Sequence, residues 1–450
     1  MTSIPESRAF LRYCRRYRLS PESFRQTLRE FEDSQFHDFD KLRRRQADLL
    51  RETIGFAFEN VPYYRKLART LPGDPCEYAD AARYQDWPVL TRQELLDAGT
   101  SLHAPPPVRG VTISSSSGTS GRPVVTMHDA ATRHTLHAAR ARALGWYGAA
   151  PWGRMAMLVS QRLGHVRRTL SHVADIFAGR RRNGTFSLTQ REAEKVTRRF
   201  SRLRAPVLLA QPSLLHRLIW FASHAGTDLR TWGTRVVLSN SEVLTPAVDR
   251  EATAAFGCPV LNEYGCTEVG SLAHRCPQGG LHTNPEHVLL EIIDDQGRHV
   301  PPGVPGKVVL TSLRNRAMPL LRYVVGDAAV WSDRPCTCGR QPGMRVVQSV
   351  EGRLANAWRD GSGRLTAAMS AAAEWQARLH EEGYIESQFV RRDSAAVALR
   401  LEPAVAPSAE TAAWLCERLA EWLGGPVDVV FEGRLPQRSG SGKLSPTLQD

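Results

Sequence analysis

Lysine is scarce in this chain. Five of its 59 basic residues are lysines (Lys41, Lys66, Lys195, Lys307 and Lys443), and arginine supplies the rest, a bias that by itself reflects nucleotide composition more readily than function. Long apolar runs are missing as well: none reaches the roughly 20 residues that cross a bilayer, so no membrane partner is expected. The first twenty residues are basic but contain no apolar core segment, so they do not read as a secretory signal, and a cytoplasmic protein is expected. Eight cysteines in so long a chain without such a signal do not make a disulfide framework. Cys14, Cys76, Cys258 and Cys416 are scattered singly, whereas Cys276, Cys336 and Cys338 lie in polar, Gly/Pro-rich surroundings that make poor core.

The formal net charge is +13, which suits polyanionic ligands, nucleotides as much as nucleic acids. The excess is spread over patches such as Arg43–Arg45 and Arg180–Arg182, with no basic tail or nucleic-acid module, and reads as a solvated basic surface. At 450 residues the chain exceeds the size at which a single core stops growing, so two domains are expected.

Helical spacing of Leu42, Leu49, Leu50, Ile54, Ala57 and Phe58 predicts a helix that stops near Asn60-Val61-Pro62. Met155–Val159, Val207–Ala210, Arg235–Ser239 and Pro259–Asn262 read as buried strands, alternating with helices such as Gln190–Leu203 and Ser213–Ala225. That alternation predicts an α/β core with largely parallel sheets. After Asn284 the texture becomes antiparallel, with His287–Ile293, Gly306–Thr311 and Asp327–Trp331 as strands. A smaller α/β segment follows Gly352, built from Ala395–Leu401, Ala409–Leu423 and Val427–Phe431.

The sharpest chemical feature is Ser114-Ser115-Ser116-Ser117-Gly118-Thr119-Ser120-Gly121-Arg122-Pro123. Glycines let the backbone turn N–H groups towards an anion, and the hydroxyls add neutral donors. It is not a Walker loop, since the Gly-Lys-Ser/Thr ending is missing. Taken alone, such a run is as often a flexible linker.

Other segments join it in order. Ser239-Asn240-Ser241-Glu242 follows a strand. Asn262-Glu263-Tyr264-Gly265-Cys266-Thr267-Glu268 forms an aromatic-Gly-x-Thr-Glu signature, and Tyr323-Val324-Val325-Gly326-Asp327 a Tyr-x-x-Gly-Asp one. Gly352-Arg353 and Ser441-Gly442-Lys443 complete the set. Six segments in this order, over most of the chain, resemble the adenylate-forming superfamily of acyl-CoA synthetases, adenylation domains and luciferases. Asn60–Arg65, Gln211-Pro212-Ser213 and Cys336–Arg340 are similar to its phenylacetate–CoA ligase-like branch, which includes CapK-like members.

The resemblance implies an α/β fold with a large adenylate-forming domain (1–352) of parallel-rich sheets and helices plus a β-rich subdomain. A small α/β lid (353–450) would follow. It implies that Ser116, Ser117, Gly118, Thr119, Ser120 and Gly121 wrap the ATP phosphates. Asn262, Glu263, Tyr264 and Gly265 would line the nucleotide, with Tyr264 against adenine and Glu242 or its neighbours at the ring edge. Thr267 would donate to the α-phosphate, Glu268 would bind Mg²⁺, and Asp327 and Arg353 would hold the ribose. Lys443, on a mobile Gly/Ser loop, is the catalytic lysine by this resemblance. Its ammonium would bridge carboxylate and α-phosphate as charge moves between them.

Cys276-x5-His282 followed by Cys336-x-Cys338 offers three thiolates and one imidazole, a closed structural Zn²⁺ set. His274 or His287 could substitute for His282. The acyl acceptor is expected to be CoA. Gly352-Arg353, however, is followed by Leu354-Ala355-Asn356-Ala357 rather than by the family's acidic residues, which keeps an amine or a carrier-protein thiol open as acceptor. The acid is expected to be aryl or similar, in a pocket beside Tyr264 and Val159 that could include His128, His165 or Trp152. A homodimer is compatible with the branch. A nucleotide-binding protein without ligase activity is the rival from another class, and the presence of Lys443 speaks against it.

Overall fold

The computed structural model describes residues 7–449 except 75, 76, 79, 107, 109, 116–121, 161–172, 341–343, 361, 393–395, 441 and 442, and excludes the side chains of Ala81 and Ala82. Three helices open the chain: Arg8–Tyr17, Pro21–Ser34 and Phe39–Asn60. Ser7, Ser20 and Asp38 cap them, each side chain accepting a backbone N–H that the first turn leaves unpaired. Phe10, Phe24 and Phe31 from the first two form one apolar cluster with Ala138 and Ala139 of the helix Ala130–Gly145. The third stops at Asn60, as its sequence predicts, because Pro62 starts a new helix, Pro62–Ala68.

Strands β1 (Thr112–Ser115) and β2 (Val125–His128) form an antiparallel pair. Strands β3 (Met155–Val159), β4 (Arg180–Gly184), β5 (Val207–Ala210), β6 (Val236–Ser239) and β7 (Val260–Cys266) lie parallel, in the order β4-β3-β5-β6-β7. β5 and β6 are buried at every residue. That is why they read as short uninterrupted apolar runs: helices cover both faces of a parallel sheet.

β7 turns back into β8 (Gly270–Arg275), and from there the sheet is antiparallel. Strands β9 (Leu281–Thr283), β10 (Val288–Ile293), β11 (Pro305–Ser312), β12 (Tyr323–Trp331) and β13 (Val346–Arg353) complete eleven strands among the described residues. β13 inserts between β9 and β12.

β13 is followed by a mixed sheet of β14 (Glu386–Arg391), β15 (Ala396–Glu402), β16 (Asp428–Phe431) and β17 (Thr447–Gln449), in the order β16-β15-β14-β17. The helices Ala368–Glu381 and Ala409–Leu423 cover it around a core of its own, in which Trp358, Trp375, Phe389, Leu399 and Leu415 are buried together. The chain is therefore the α/β protein its sequence predicts, with a small C-terminal α/β unit.

Several strands, among them β1, β2, β8, β9, β13, β14 and β17, were not read from the sequence, and one runs against its reading. β4 is the basic stretch Arg180–Gly184, read from sequence as solvated surface. Arg180 is buried instead, its guanidinium over the rings of Tyr13 and Tyr17 and donating to Pro151 O. Arg182 lies 3.2 Å from the carboxylate of Asp175, a residue with no exposed surface. Arg43, Arg44 and Arg45 are exposed, as expected. Among the described residues no helix is long and apolar enough to cross a membrane.

Candidate active site

The C-terminal ends of β6 and β7, the end of β13 and the last loop of the chain enclose one cleft of about 1190 Å³. Ser239 closes β6, and the chain then leaves the sheet through Ser241, whose φ of +74° is costly for a residue with a Cβ. This turn delivers Glu242. Its carboxylate accepts from Ser213 N (2.9 Å), from Ser213 Oγ (3.1 Å) and from Leu444 N (3.2 Å). Burial raises the Glu242 carboxyl above its ordinary range, and the Ser213 bonds, Arg438 and the Leu444 N–H pull against that rise. In this arrangement the carboxylate joins the helix Pro212–His224 to the C-terminal loop.

β7 carries the aromatic-Gly-x-Thr-Glu segment into its turn. Asn262 lines the cleft, and Asn240 donates to Glu263 at 3.3 Å. Glu263 itself lies beneath: Arg140 grips its carboxylate with two bonds of 2.8 and 2.6 Å, and His274 Nε2 lies at 3.0 Å. Burial alone would raise this carboxyl, but Arg140 and His274 reverse the effect and hold it well below its usual value. Gly265 sits where any side chain would collide, since an added Cβ would stand 2.5 Å from Gly270 O.

Tyr264 is buried and its hydroxyl donates to Asp327 Oδ2 at 2.9 Å. Arg353 Nε lies 3.3 Å from the other oxygen of Asp327. Thr267 is exposed in the cleft, and Glu268 is buried beside it. Lys443 reaches the same cleft from the far end of the chain. Burial, then the neighbouring Arg353, lowers its ammonium below the ordinary lysine range, while Glu242, Asp327 and Glu268 oppose that fall. All three carboxylates therefore act on this lysine.

Residues Ser116, Ser117, Gly118, Thr119, Ser120 and Gly121, and also His165, lie outside the described residues. Arg122, just after the loop, accepts from Arg92 through its carbonyl at 2.7 Å, and Arg92 lines the cleft. Of the residues suggested for an acid pocket, His128 is buried with Nε2 2.9 Å from Glu268 O, whereas Trp152 packs on Phe10 and Phe24 away from the cleft. Arg92, Arg140 and Arg438 also line the cleft, and no sequence signal marks them, being three arginines among many.

The cysteine–histidine set also comes together. One ligand atom from each of Cys276, His282, Cys336 and Cys338 lies within 4.8 Å of the others. Cys276 Sγ is 3.6 Å from Cys336 Sγ, and Cys338 Sγ is 3.2 Å from His282 Nε2. Tetrahedral Zn²⁺ with bonds near 2.3 Å needs sulfur atoms about 3.8 Å apart, so the spacing fits. Gly280 lies against this cradle: a Cβ there would stand 2.7 Å from Cys336 Sγ and 2.9 Å from His282 Nε2. His274 is instead bonded to Glu263, and His287 Nε2 lies 2.7 Å from Val269 O, so neither joins the set.

Against known protein families, residues 68–314, more than half of the chain, match the AMP-binding enzyme model. The chain belongs to the AMP-binding enzyme family. The adenylate-forming superfamily read from its signatures is thereby established. This AMP-binding enzyme is 26% identical to a phenylacetate–coenzyme A ligase of Thermus thermophilus over 67% of its own length and 68% of the relative's. It is 25% identical to the Escherichia coli ligase of the same name over 69% and 74%, and 21% identical to the protein CapK of Staphylococcus aureus over 44% and 41%. The matched stretch thus spans about two thirds of the phenylacetate–coenzyme A ligases. Among solved structures, a 2-hydroxyisobutyryl-CoA ligase in the postadenylation state with 2-HIB-AMP superposes with a TM-score of 0.70 at 18% identity, covering 90% of this chain and 89% of that one. ATP-bound MatB from Rhodopseudomonas palustris gives 0.51 at 19% identity, over 74% and 66%. These likenesses show the fold.

Proposed function

We propose that this AMP-binding enzyme condenses a carboxylic acid, aryl or similar, with ATP to give an acyl-AMP and pyrophosphate, and then passes the acyl group to CoA as a thioester. The observation that carries the reading is the convergence of Lys443, from the last loop, with Glu268, Asp327 and Arg353 in one cleft. A carboxylate attacking the α-phosphorus in line needs positioning and charge stabilisation rather than a covalent enzyme intermediate. The Lys443 ammonium supplies mobile positive charge between the two anions. Asp327, oriented by Tyr264 and Arg353, supplies acceptors for ribose hydroxyls. Glu268 offers Mg²⁺ a hard oxygen ligand, and Thr267 a donor to the α-phosphate. The loop 116–121 wraps the phosphates.

The names of the relatives favour CoA as acceptor and an aryl acid as substrate. The two lobes divide at Gly352-Arg353 into residues 1–352 and 353–450. Supporting this, Gly352 has φ +77°, an added Cβ would stand 2.8 Å from Met369 Cε, and the small unit's core begins at Trp358. Cys276, His282, Cys336 and Cys338 hold a structural Zn²⁺ that ties the segment before β13 to the β8–β9 turn and takes no part in the reaction.

The test follows AMP release and product mass with ATP, Mg²⁺, a panel of acids and CoA. Acyl-CoA formed in step with AMP supports the reading. AMP release without thioester, with product appearing only on an amine or a carrier thiol, selects the alternative acceptor. Intact ATP binding with no AMP from any acid would sink ligase activity altogether.

A further inference from the structure

The helix Pro212–His224 buries two unlike faces. Leu214, Leu215 and Leu218 pack with Leu208 and Ala210 of β5 in the apolar core beneath it. Ser213, His216 and Arg217, spaced i, i+3 and i+4, make a polar stripe that is buried as well. Buried polar groups are costly unless each finds a partner, and here the small C-terminal unit supplies partners for all three. Arg217 Nη1 and Nη2 donate to the two carboxylate oxygens of Glu402 at 2.6 and 3.1 Å, and Nη1 also lies 3.6 Å from Glu386. Its Nε donates to Leu188 O at 2.9 Å, which fixes the guanidinium from the large unit's side. His216 Nε2 lies 2.6 Å from Ile385 O, and Ser213 Oγ accepts from Arg438 Nη1 at 3.1 Å.

Glu386 and Glu402 stand directly opposite each other on β14 and β15. Like charges in that position repel, so this end of the small sheet favours cations docked on it. Arg438 of the same unit pairs with Glu386, and Arg217 brings a second guanidinium from the large unit. The lysine loop hangs from the same contact. Arg438 forms a β-bridge with Leu444, Ser439 N donates to Lys443 O at 2.9 Å, and Leu444 N reaches Glu242 in the large unit.

We propose that Arg217 is a positioning residue for the first half-reaction. By closing on Glu402 and Glu386 it docks the small unit in the arrangement that sets Lys443 at the cleft, and its release frees that unit for the transfer step. The role in the two steps rests on the acyl-AMP reading above, whereas the docking itself does not. A charge-held, polar contact suits surfaces that part and close again, because water satisfies each group once they separate. The bidentate geometry also makes the docked position specific, since both N–H groups meet both oxygens in one orientation.

The Leu444 amide reports docking directly, because its acceptor Glu242 lies in the other unit. The test is hydrogen exchange resolved at Leu444 in the full chain, in Arg217→Met, in Glu402→Gln and in the double variant. Loss of the charge pair should speed Leu444 exchange about tenfold in each single variant and little further in the double one. Leu208 and Leu238, inside the large sheet, should exchange as before. Acid-dependent pyrophosphate exchange should fall by a similar factor, with thioester formation from supplied acyl-AMP maintained. Unchanged Leu444 exchange in both single variants overturns the proposal. So does an acceleration shared by Leu208 and Leu238, which would make Arg217 a packing residue, or an equal fall in both half-reactions. Faster Leu444 exchange in a chain that makes no acyl-AMP upholds the dock while removing the reaction, so the two failures are told apart.

Discussion

Glu242 accepts a hydrogen bond from the backbone N–H of Leu444 at 3.2 Å, so the turn that leaves β6 holds the residue next to Lys443. The same carboxylate accepts from Ser213 N and Oγ. About two hundred residues apart in sequence, the turn after β6 and the lysine loop are joined at one buried carboxylate.

Glu242→Gln keeps the shape but weakens the acceptor. A hydrogen bond to a charged group contributes about 1.5–3 kcal/mol, so acid-dependent pyrophosphate exchange should fall about tenfold in kcat while the KM for ATP changes little. Thioester formation from supplied acyl-AMP should be nearly unaffected. A rise in the ATP KM at unchanged kcat would instead place Glu242 against the nucleotide.

The depressed Lys443 sets an alkaline limb. Its active form is the ammonium, present below the folded pKa and lost as pH rises through it, and burial with Arg353 puts that pKa below the ordinary lysine value of about 10.4. Exchange activity should therefore fall as pH rises, and the fall should set in before pH reaches that value. Lys443→Arg should keep a residual rate with the limb displaced upward, as guanidinium does not titrate in this range. An identical limb in both proteins would assign it to another group.

The Arg140–Glu263 pair should matter for stability rather than catalysis. Arg140→Met leaves a carboxylate buried at 6% exposure with only His274 and Asn240 as partners. Removing one side of such a pair costs about 3–5 kcal/mol, with the lower end expected here because Arg140 is itself partly exposed. Adding Glu263→Gln should restore part of the loss, measured by urea unfolding. Strictly additive losses would show that the pair is not coupled.

Much of this was legible from sequence, and the exceptions have physical causes. β5 and β6 announce themselves because parallel strands buried on both faces must be apolar throughout. The Cys276, His282, Cys336 and Cys338 set was legible because thiolates in Gly/Pro-rich turns have no packing role. β4 was not, since three arginines hide a strand whose first residue is buried by aromatic rings and a carbonyl. Nor was Glu263's burial, because Arg140 lies 123 residues away and reaches it only through the fold.

With the proposed Zn²⁺ at Cys276, His282, Cys336 and Cys338, loss of the metal should loosen the antiparallel half of the large sheet. Cys276→Ser is expected to remove the sulfur-to-metal charge-transfer band of the Co²⁺-loaded protein and to lower Tm by several degrees, since metal-binding energy is folding energy at such sites. An unchanged band would mean that Cys276 is not a ligand.

The most direct test of the central claim is acid-dependent ATP–pyrophosphate exchange in the unaltered chain and in Lys443→Ala. Exchange that requires one class of acid and falls about 10²–10³-fold in the variant, with ATP binding retained, is the predicted result. Exchange that is equally fast without Lys443, or absent with every acid, would contradict it.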